Sequence, residues 1–236
     1  MSTVYSKTND VWVNNQKGAW ADCRNDDDGN LIDGDHDDTN SGFGVYYAYS
    51  SGRGGAAYYL RRSYFEFDLS GISGTVTAAT FYVYSDKLTE TNSNNNARLC
   101  ASAAIPAAPG GNTDSNACFG KVDLTEAHSD AFAISTTLGY HSVAINSDGL
   151  TAINSAVGSG DYTLCLLADG DYANTAPTAV TRIQIYYANY TGTSRDPYLS
   201  LTISTGYGNK VIGVAAANIG KVNGVATANI EKVIGV

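Results

Sequence analysis

The sequence has little charge and few of the residues that favour helices. Charged residues make up 16% of the 236 positions, with only four Glu, seven Lys and one Met. Glycine (25) and tyrosine (17) are abundant by contrast, and much of the polarity comes from hydroxyl and amide side chains. This composition is typical of an all-β extracellular domain rather than a helical one.

Further absences exclude several classes of protein. The net charge of −9 comes with no basic cluster, so we expect no nucleic-acid partner. No apolar run reaches the roughly eighteen residues of a membrane span. Met1 is followed at once by polar sequence, so we expect no signal peptide. Export would then require a changed mature start or another route, such as lysis.

Recognisable catalytic patterns are also absent. The chain has no G-x-S-x-G elbow, no H-E-x-x-H helix and no phosphate-binding loop. Its three histidines, His36, His128 and His141, lie far apart in sequence, and no Glu stands in a setting typical of glycoside hydrolysis. We therefore predict that the protein is not an enzyme and has no catalytic residues.

Apolar residues alternate with polar ones along most of the chain, the pattern of half-buried strands. The predicted core residues on these strands are Phe65, Phe67, Phe81, Val83, Leu164, Leu166, Ile183, Ile185, Leu199 and Leu201. One helix is expected in "SDGLTAINSAVGSG", capped by Ser147 or Asp148 and ended by Gly158. We predict an all-β fold over residues 1–205, an antiparallel two-sheet sandwich (jelly roll) with one short helix.

Several segments resemble one known domain family. They are "RRSYFEFDLSGISGTVTAATFYVYSD", "VDLTEA", "GLTAINSAV", "DYTLCLLADGD" and "RDPYLSLTIS". Their order is similar to that of DNRLRE-type jelly-roll domains, and "VYSKTNDVWVNNQKGAWADCRN" resembles the opening of phage-associated members. The likeness covers roughly residues 3–204, apart from an acidic N-terminal loop and an insertion between Cys100 and Cys118. It implies the fold rather than an activity.

The last residues form a second segment, 206–236, with a different pattern. Lys-Val-x-Gly-Val begins at Lys210, Lys221 and Lys232, an 11-residue repeat. It resembles the K-V-N-G-V-A-x-A-N-I repeats at the ends of phage virion proteins. The spacing fits a right-handed helical supercoil, whereas Gly and β-branched residues favour strands and turns, so both remain open. The predicted assembly residues are Val211, Val214, Ile219, Val222, Val225, Ile230, Val233 and Val236.

The densest charge lies in "NDDDGNLIDGDHDD" near the N-terminus. Carboxylate oxygens beside flexible glycines suit calcium, although the spacing does not match an EF-hand. A solvated acidic loop is the alternative. The candidate metal ligands are Asp26, Asp28, Asp33, Asp35 and Asp37.

Clustered tyrosines are candidates for contact with a glycan. A tyrosine ring offers a flat apolar face and a polar tip, which can stack on a sugar, although most strand tyrosines only support the fold. The candidate ligand-binding residues are Tyr47, Tyr49, Tyr58, Tyr186 and Tyr190. We also consider a disulfide between Cys100 and Cys118, and expect Cys165 to be buried.

These observations predict a structural subunit of an extracellular assembly. The resemblances imply a phage virion appendage, such as a fibre, spike or decoration protein, on the virion surface or in the extracellular space. Its partners would be copies of itself, as a trimer or polymer, and other virion proteins. The alternative is a carbohydrate-binding or adhesive module that contacts a cell-surface glycan.

Overall fold

The structure is a computed structural model. It describes residues 1–27, 31–33, 42–52, 55–89, 96–105, 119–133, 138–188, 191–204, 221–222 and 225–226. None of the helices in these ranges is long and apolar enough to cross a membrane.

Most of the described chain is antiparallel β-structure. The strands are β1 (Ser2–Tyr5), β2 (Val11–Lys17), β3 (Leu31–Asp33), β4 (Gly42–Gly52), β5 (Gly55–Asp68), β6 (Thr75–Thr89), β7 (Asn96–Ser102), β8 (Val122–Ala127), β9 (Phe132–Ala133), β10 (Gly139–Ala144), β11 (Asp161–Ala168), β12 (Val180–Ile185), β13 (Tyr198–Ser204), β14 (Lys221–Val222) and β15 (Val225–Ala226). The helices are α1 (Trp20–Asn25), α2 (Ser147–Ala156) and α3 (Asp169–Tyr172), with a 3-10 turn at Phe119–Lys121.

Two long strands turn the sheet into a sandwich. The main strand order is β1-β13-β6-β12-β4-β5-β11-β7-β8, with β10 and β2 on the free edges of β6 and β5. Along one edge, β6 pairs first with β13 and then with β12, and β5 pairs first with β4 and then with β11. Because long strands twist, such a change of partner lets a sheet curl over itself. The predicted all-β sandwich is confirmed.

Aromatic side chains of β5 and β6 meet in the main core. The rings of Phe65 and Phe67 lie 5.3 and 6.2 Å from that of Phe81, and Phe65 also stacks on Tyr187 at 5.8 Å. All ten core residues predicted from alternation are buried. This face of the sheet therefore follows the sequence pattern directly.

The opposite face of β5 is buried as well, which alternation alone did not predict. Tyr64 is fully buried, and its hydroxyl donates a hydrogen bond to the carbonyl of Phe119 at 2.8 Å. Arg62, on the same face, is also buried and contacts both α1 and α3. The two short helices and the 3-10 turn thus cover a second, more polar core.

Helix α2 lies where the sequence predicted one. Asn146 caps it, accepting a hydrogen bond from the amide of Gly149 at 3.0 Å, rather than Ser147 or Asp148. Gly158 follows its end with φ of 73°, the left-handed conformation expected of a C-terminal glycine. The side chain of Asn154 pairs with both backbone groups of Val76, so the helix extends the hydrogen bonding of β6. Helices α1 and α3 are additional to the single helix predicted.

The described cysteines are buried free thiols. Cys100 on β7 lies directly opposite Cys165 on β11, and both are fully buried. Cys100 is a free thiol, so it does not form the disulfide considered above. The other residue of that disulfide, Cys118, lies outside the described residues. Burial raises the pKa of Cys100 to about 12, as expected for a thiol that acts as a small apolar group.

Candidate functional site

Three of the candidate tyrosines lie together at one end of β4 and β5. Tyr49 and Tyr58 are cross-strand partners with ring centroids 5.0 Å apart, and Trp20 lies 5.8 Å from Tyr58. Tyr47 is only 4% exposed, and its hydroxyl donates to the carbonyl of Thr175. Tyr47 is therefore a core residue rather than a ligand-binding one, because its ring and hydroxyl are already used within the fold.

Tyr186 belongs to a different and more exposed aromatic surface. We call this surface the tyrosine face, and its members are Tyr5, Tyr82, Tyr84, Tyr140, Tyr186 and Tyr198. The other candidate near it in sequence, Tyr190, lies outside the described residues.

Strand register brings the central tyrosines together. Tyr198 on β13 is directly opposite Tyr82 on β6, and Tyr140 on β10 is directly opposite Tyr84. The rings of Tyr82 and Tyr198 stack 4.5 Å apart at an angle of 9°, and Tyr140 lies 5.2 Å from both Tyr84 and Tyr198. These residues point outward because their neighbours Phe81, Val83 and Leu199 point into the core.

The tyrosine face is partly open to solvent. Tyr5 is 42% exposed and lies 5.7 Å from Tyr198, and Tyr140 is 36% exposed. The guanidinium of Arg195 covers Tyr186 at 4.5 Å from the ring centroid. Partial burial among neighbouring rings raises the pKa of Tyr140 and Tyr198. The hydroxyls of Tyr140 and Tyr198 are therefore protonated at neutral pH and can donate as well as accept hydrogen bonds.

A second aromatic cluster, the arginine stack, consists of the buried Trp12 and the half-buried Tyr46, Tyr59, Arg61 and Arg182, on β2, β4, β5 and β12. Arg61 lies 4.0 Å above the ring of Trp12, and Tyr46 stacks on Tyr59 at 5.5 Å. Arg182 donates a hydrogen bond to the hydroxyl of Tyr46 at 3.1 Å. Guanidinium groups cover the rings of Trp12 and Tyr46, so these two rings present little free aromatic surface.

Two of the candidate metal ligands lie within the described residues. The carboxylate of Asp26 accepts from Lys17 Nζ at 2.8 Å and from Asn15 Nδ2 at 3.2 Å. The backbone of Asp33 pairs with that of Trp12 in the β2–β3 ladder. The remaining candidates, Asp28, Asp35 and Asp37, lie outside the described residues.

A cleft of about 620 Å³ opens beside Asp26. Its charged lining residues are Arg24, Asp26, Asp27, Arg62, Lys121, Asp123 and Glu126, so both signs of charge are present. Within the ranges that the structure describes, no group of three or more His, Cys, Asp or Glu side chains is placed to hold a metal ion. The described residues of the cleft therefore offer polar and charged contacts, but they do not form a set of metal ligands.

The repeat segment contributes a short antiparallel ladder. Lys221 pairs with Ala226 and Val222 with Val225, which makes β14 and β15 the two arms of a hairpin. The other assembly candidates, Val211, Val214, Ile219, Ile230, Val233 and Val236, lie outside the described residues.

No protein-family model matches the chain, and no curated protein is detectably similar to it. The likeness to DNRLRE-type domains and to virion repeats therefore stays a prediction. The structure defines the class of protein, an all-β antiparallel sandwich, and the surfaces that it presents.

Sequence reasoning found only one member of the tyrosine face, Tyr186. A signal for two others was present, since alternation in "FYVYS" places Tyr82 and Tyr84 on the side away from the core. Tyr5, Tyr140 and Tyr198 join them only through strand pairing, which brings together positions up to about 190 residues apart.

Proposed function

We propose that the protein is a structural subunit of an extracellular assembly, such as a phage virion appendage. The subunit would associate with its neighbours through residues 206–236. The observation that carries this proposal is the hairpin in the middle repeat, where Val222 lies opposite Val225. The proposed role is structural, involves no catalysis and no nucleic acid, and places the protein on the virion surface or outside cells.

The hairpin favours the strand interpretation of the repeat. Asn223-Gly224 connects its arms, and Asn-Gly is a preferred two-residue hairpin connection. The letters K-V-x-G-V recur in the flanking repeats, which predicts the same pairing there. An isolated two-stranded hairpin is at best marginally stable in water, so these units need neighbours to bury their Val and Ile side chains.

Charge supports docking on another copy or another subunit. The repeat segment carries three Lys and one Glu, a net charge of +2, which leaves about −11 on the body. Opposite charges steer association and disfavour wrong pairings. An acidic body is therefore a suitable neighbour for a basic, apolar tail.

The test is the mass of the assembled protein in solution, measured by light scattering with and without residues 206–236. We expect the full chain to form multimers and the shortened chain to be a folded monomer with unchanged β-sheet circular dichroism. Assembly of the shortened chain to the same mass would exclude the tail as the assembly element.

A second candidate function, binding of a cell-surface glycan, is favoured by the tyrosine face. Its rings form a continuous outer surface across β1, β13, β6 and β10, and their hydroxyls can hydrogen-bond to sugar hydroxyls. This candidate is compatible with the first, because a structural subunit can also attach an assembly to a surface.

We also propose calcium as a ligand of the acidic segment from Asp26 to Asp37. What supports it is the density of carboxylates in the sequence, which repel one another unless a cation neutralises them. Lys17 forms an ion pair with Asp26 at 2.8 Å.

A further inference from the structure

The chain contains one Asp-Pro peptide bond, between Asp196 and Pro197 just before β13. Of the four prolines, only Pro197 follows an acidic residue. This dipeptide places a carboxyl group next to its own backbone carbonyl, and the nitrogen of that peptide bond belongs to a tertiary amide. Reactions between groups held together in one molecule are strongly favoured over the same reactions between separate molecules. The surroundings of this bond therefore bear directly on its reactivity.

Hydrogen bonds hold the Asp-Pro bond from both sides. The carbonyl oxygen of Asp196 accepts from the hydroxyl of Tyr140 on β10 at 3.0 Å. The carbonyl oxygen of Pro197 accepts from the amide of Ser6 at 2.8 Å. Asp196 is 6% exposed and Pro197 is buried. A donor aimed at a carbonyl oxygen stabilises the negative charge that develops when the carbonyl carbon is attacked, most strongly where water is excluded. The Tyr140 hydroxyl is therefore placed as an oxyanion donor for this bond.

The carboxyl group of Asp196 is not committed to a partner within the described residues. Its Oδ1 atom is inaccessible to solvent and has no hydrogen-bond partner there, and its carboxylate forms no ion pair. Burial raises the pKa of Asp196 to about 6. The carboxyl group therefore keeps its proton in mild acid, where an exposed aspartate with a pKa of about 3.9 is ionised.

Two other titratable groups interact with the charge of Asp196, and both are neutral in mild acid. They are Asp10 in the β1–β2 turn and Tyr140 on β10. Burial raises the pKa of Asp10 to about 8 and holds that of Tyr140 above its usual value. The neighbouring Arg195 lies over the ring of Tyr186 at 4.5 Å. Between pH 5 and 7, Asp196 is thus the group among these that changes charge.

We propose that Asp196–Pro197 is a self-cleaving peptide bond, in which the Asp196 carboxyl attacks its own backbone carbonyl carbon and the Tyr140 hydroxyl stabilises the oxyanion. A carboxyl oxygen bonds to that carbon and closes a five-membered cyclic anhydride. The bond from the carbon to the Pro197 nitrogen breaks, and the carboxyl proton passes to this nitrogen. Water then opens the anhydride, which restores the Asp196 side chain and leaves a new C-terminal carboxyl group.

Cleavage would divide the chain into residues 1–196 and 197–236. Strand β13 pairs with β1 on one side and with β6 on the other, so hydrogen bonds would keep the second fragment in the sheet. The covalent link between the body and the repeat segment would be lost without unfolding of the sandwich. The reaction uses residues of the body only and does not depend on the proposed function.

The experiment incubates the full chain at pH 5.5 and at pH 7.5 and measures intact mass under denaturing conditions over time. The same chain is incubated at pH 5.5 in guanidinium chloride, which removes the contact with Tyr140 and keeps the Asp-Pro sequence. The variants are Tyr140→Phe, which lacks the donor, and Asp196→Asn, which lacks the carboxyl group. The matched control is Tyr82→Phe, which removes another hydroxyl of the tyrosine face. Circular dichroism checks that each variant is folded.

We expect the folded chain at pH 5.5 to yield the two fragments at least about tenfold faster than the unfolded chain. The reason is that a carboxyl group with a pKa of about 6 is mostly protonated at this pH, whereas one with a pKa of about 3.9 is mostly ionised. Cleavage should be slower at pH 7.5 for the same reason.

The variants should separate the two roles. Tyr140→Phe should cleave about tenfold more slowly or worse, because loss of one oxyanion donor lowers the rate of acyl transfer by about a hundredfold or more in enzymes. Asp196→Asn should yield no fragments on this timescale, and Tyr82→Phe should cleave as the wild type does.

Three results would overturn the proposal. The first is the absence of both fragments from the folded chain at pH 5.5. The second is an equal rate in the folded and unfolded chains, which would assign cleavage to the general lability of Asp-Pro bonds in acid. The third is an unchanged rate in folded Tyr140→Phe, since the hydrogen bond to the carbonyl would then play no part. The first two results need only the wild-type chain, so they do not depend on the folding of a variant.

Discussion

The guanidinium of Arg62 and the carboxylate of Asp171 form a two-point ion pair in the second core. Arg62 Nε lies 2.7 Å from Oδ2 and Nη2 lies 2.9 Å from Oδ1, and both side chains are about 1% exposed. The remaining donors of Arg62 reach the carbonyls of Phe119 and Arg24 at 2.9 and 3.0 Å. One side chain of β5 thus holds α1, the 3-10 turn and α3 in place.

Loss of this ion pair should be strongly destabilising. Asp171→Ala leaves the Arg62 guanidinium buried and unpaired, so we expect the free energy of unfolding to fall by about 3–5 kcal/mol in urea denaturation. The matched control is Asp169→Ala, which breaks the more exposed pair with Arg98 at 2.8 Å and should cost about 1 kcal/mol. Equal losses in the two variants would contradict a special role for the buried pair.

Truncation in the main core should also be costly. Phe67→Ala removes a fully buried ring that packs on Phe81 and Tyr162, and we expect a loss of about 3–5 kcal/mol in the free energy of unfolding. Leu138→Ala serves as the control, because Leu138 is 65% exposed and should change stability by about 0.5 kcal/mol or less. A similar effect of both changes would show that the assigned core is wrong.

Point changes in the repeat should separate assembly from folding. Val214→Asp combined with Val225→Asp places charge where apolar contact between chains is expected, so the multimer should dissociate while the body stays folded. Val214→Ile with Val225→Ile keeps the positions apolar and should preserve the mass measured by light scattering. Retention of the multimer in the Asp variant would argue against a buried seam.

The tyrosine face can be tested by retention on immobilised neutral polysaccharides. Tyr140→Ala with Tyr198→Ala removes two adjoining rings at its centre, and we expect binding to fall by about tenfold or more, given about 1–1.5 kcal/mol for each lost aromatic contact. Tyr59→Ala in the arginine stack is the control and should bind as the wild type does. If Tyr59→Ala weakens binding as much, the tyrosine face is not the specific site.

Calcium in the acidic segment can be tested by chelation. We expect chelation to lower the melting temperature of the wild-type protein, and Asp28→Asn with Asp33→Asn to remove that response. A melting temperature that does not change between millimolar calcium and chelator would leave the segment as a solvated acidic loop.

The sequence by itself determined the all-β class and the main core. Side chains on a strand alternate between faces with a period of two, so Phe65, Phe67 and Phe81 could be assigned to the interior without knowing the strand order. Helix α2 was equally predictable from its apolar spacing and its terminal Gly158, although the capping residue was Asn146.

Only the tertiary structure decided the partners across the sheet. Arg62 pairs with Asp171, 109 positions away in the sequence. Tyr5 meets Tyr198 because β1 lies beside β13. Local sequence pattern reports which face of a strand a residue occupies, whereas strand order and register, set by packing of the whole chain, determine which residue lies opposite.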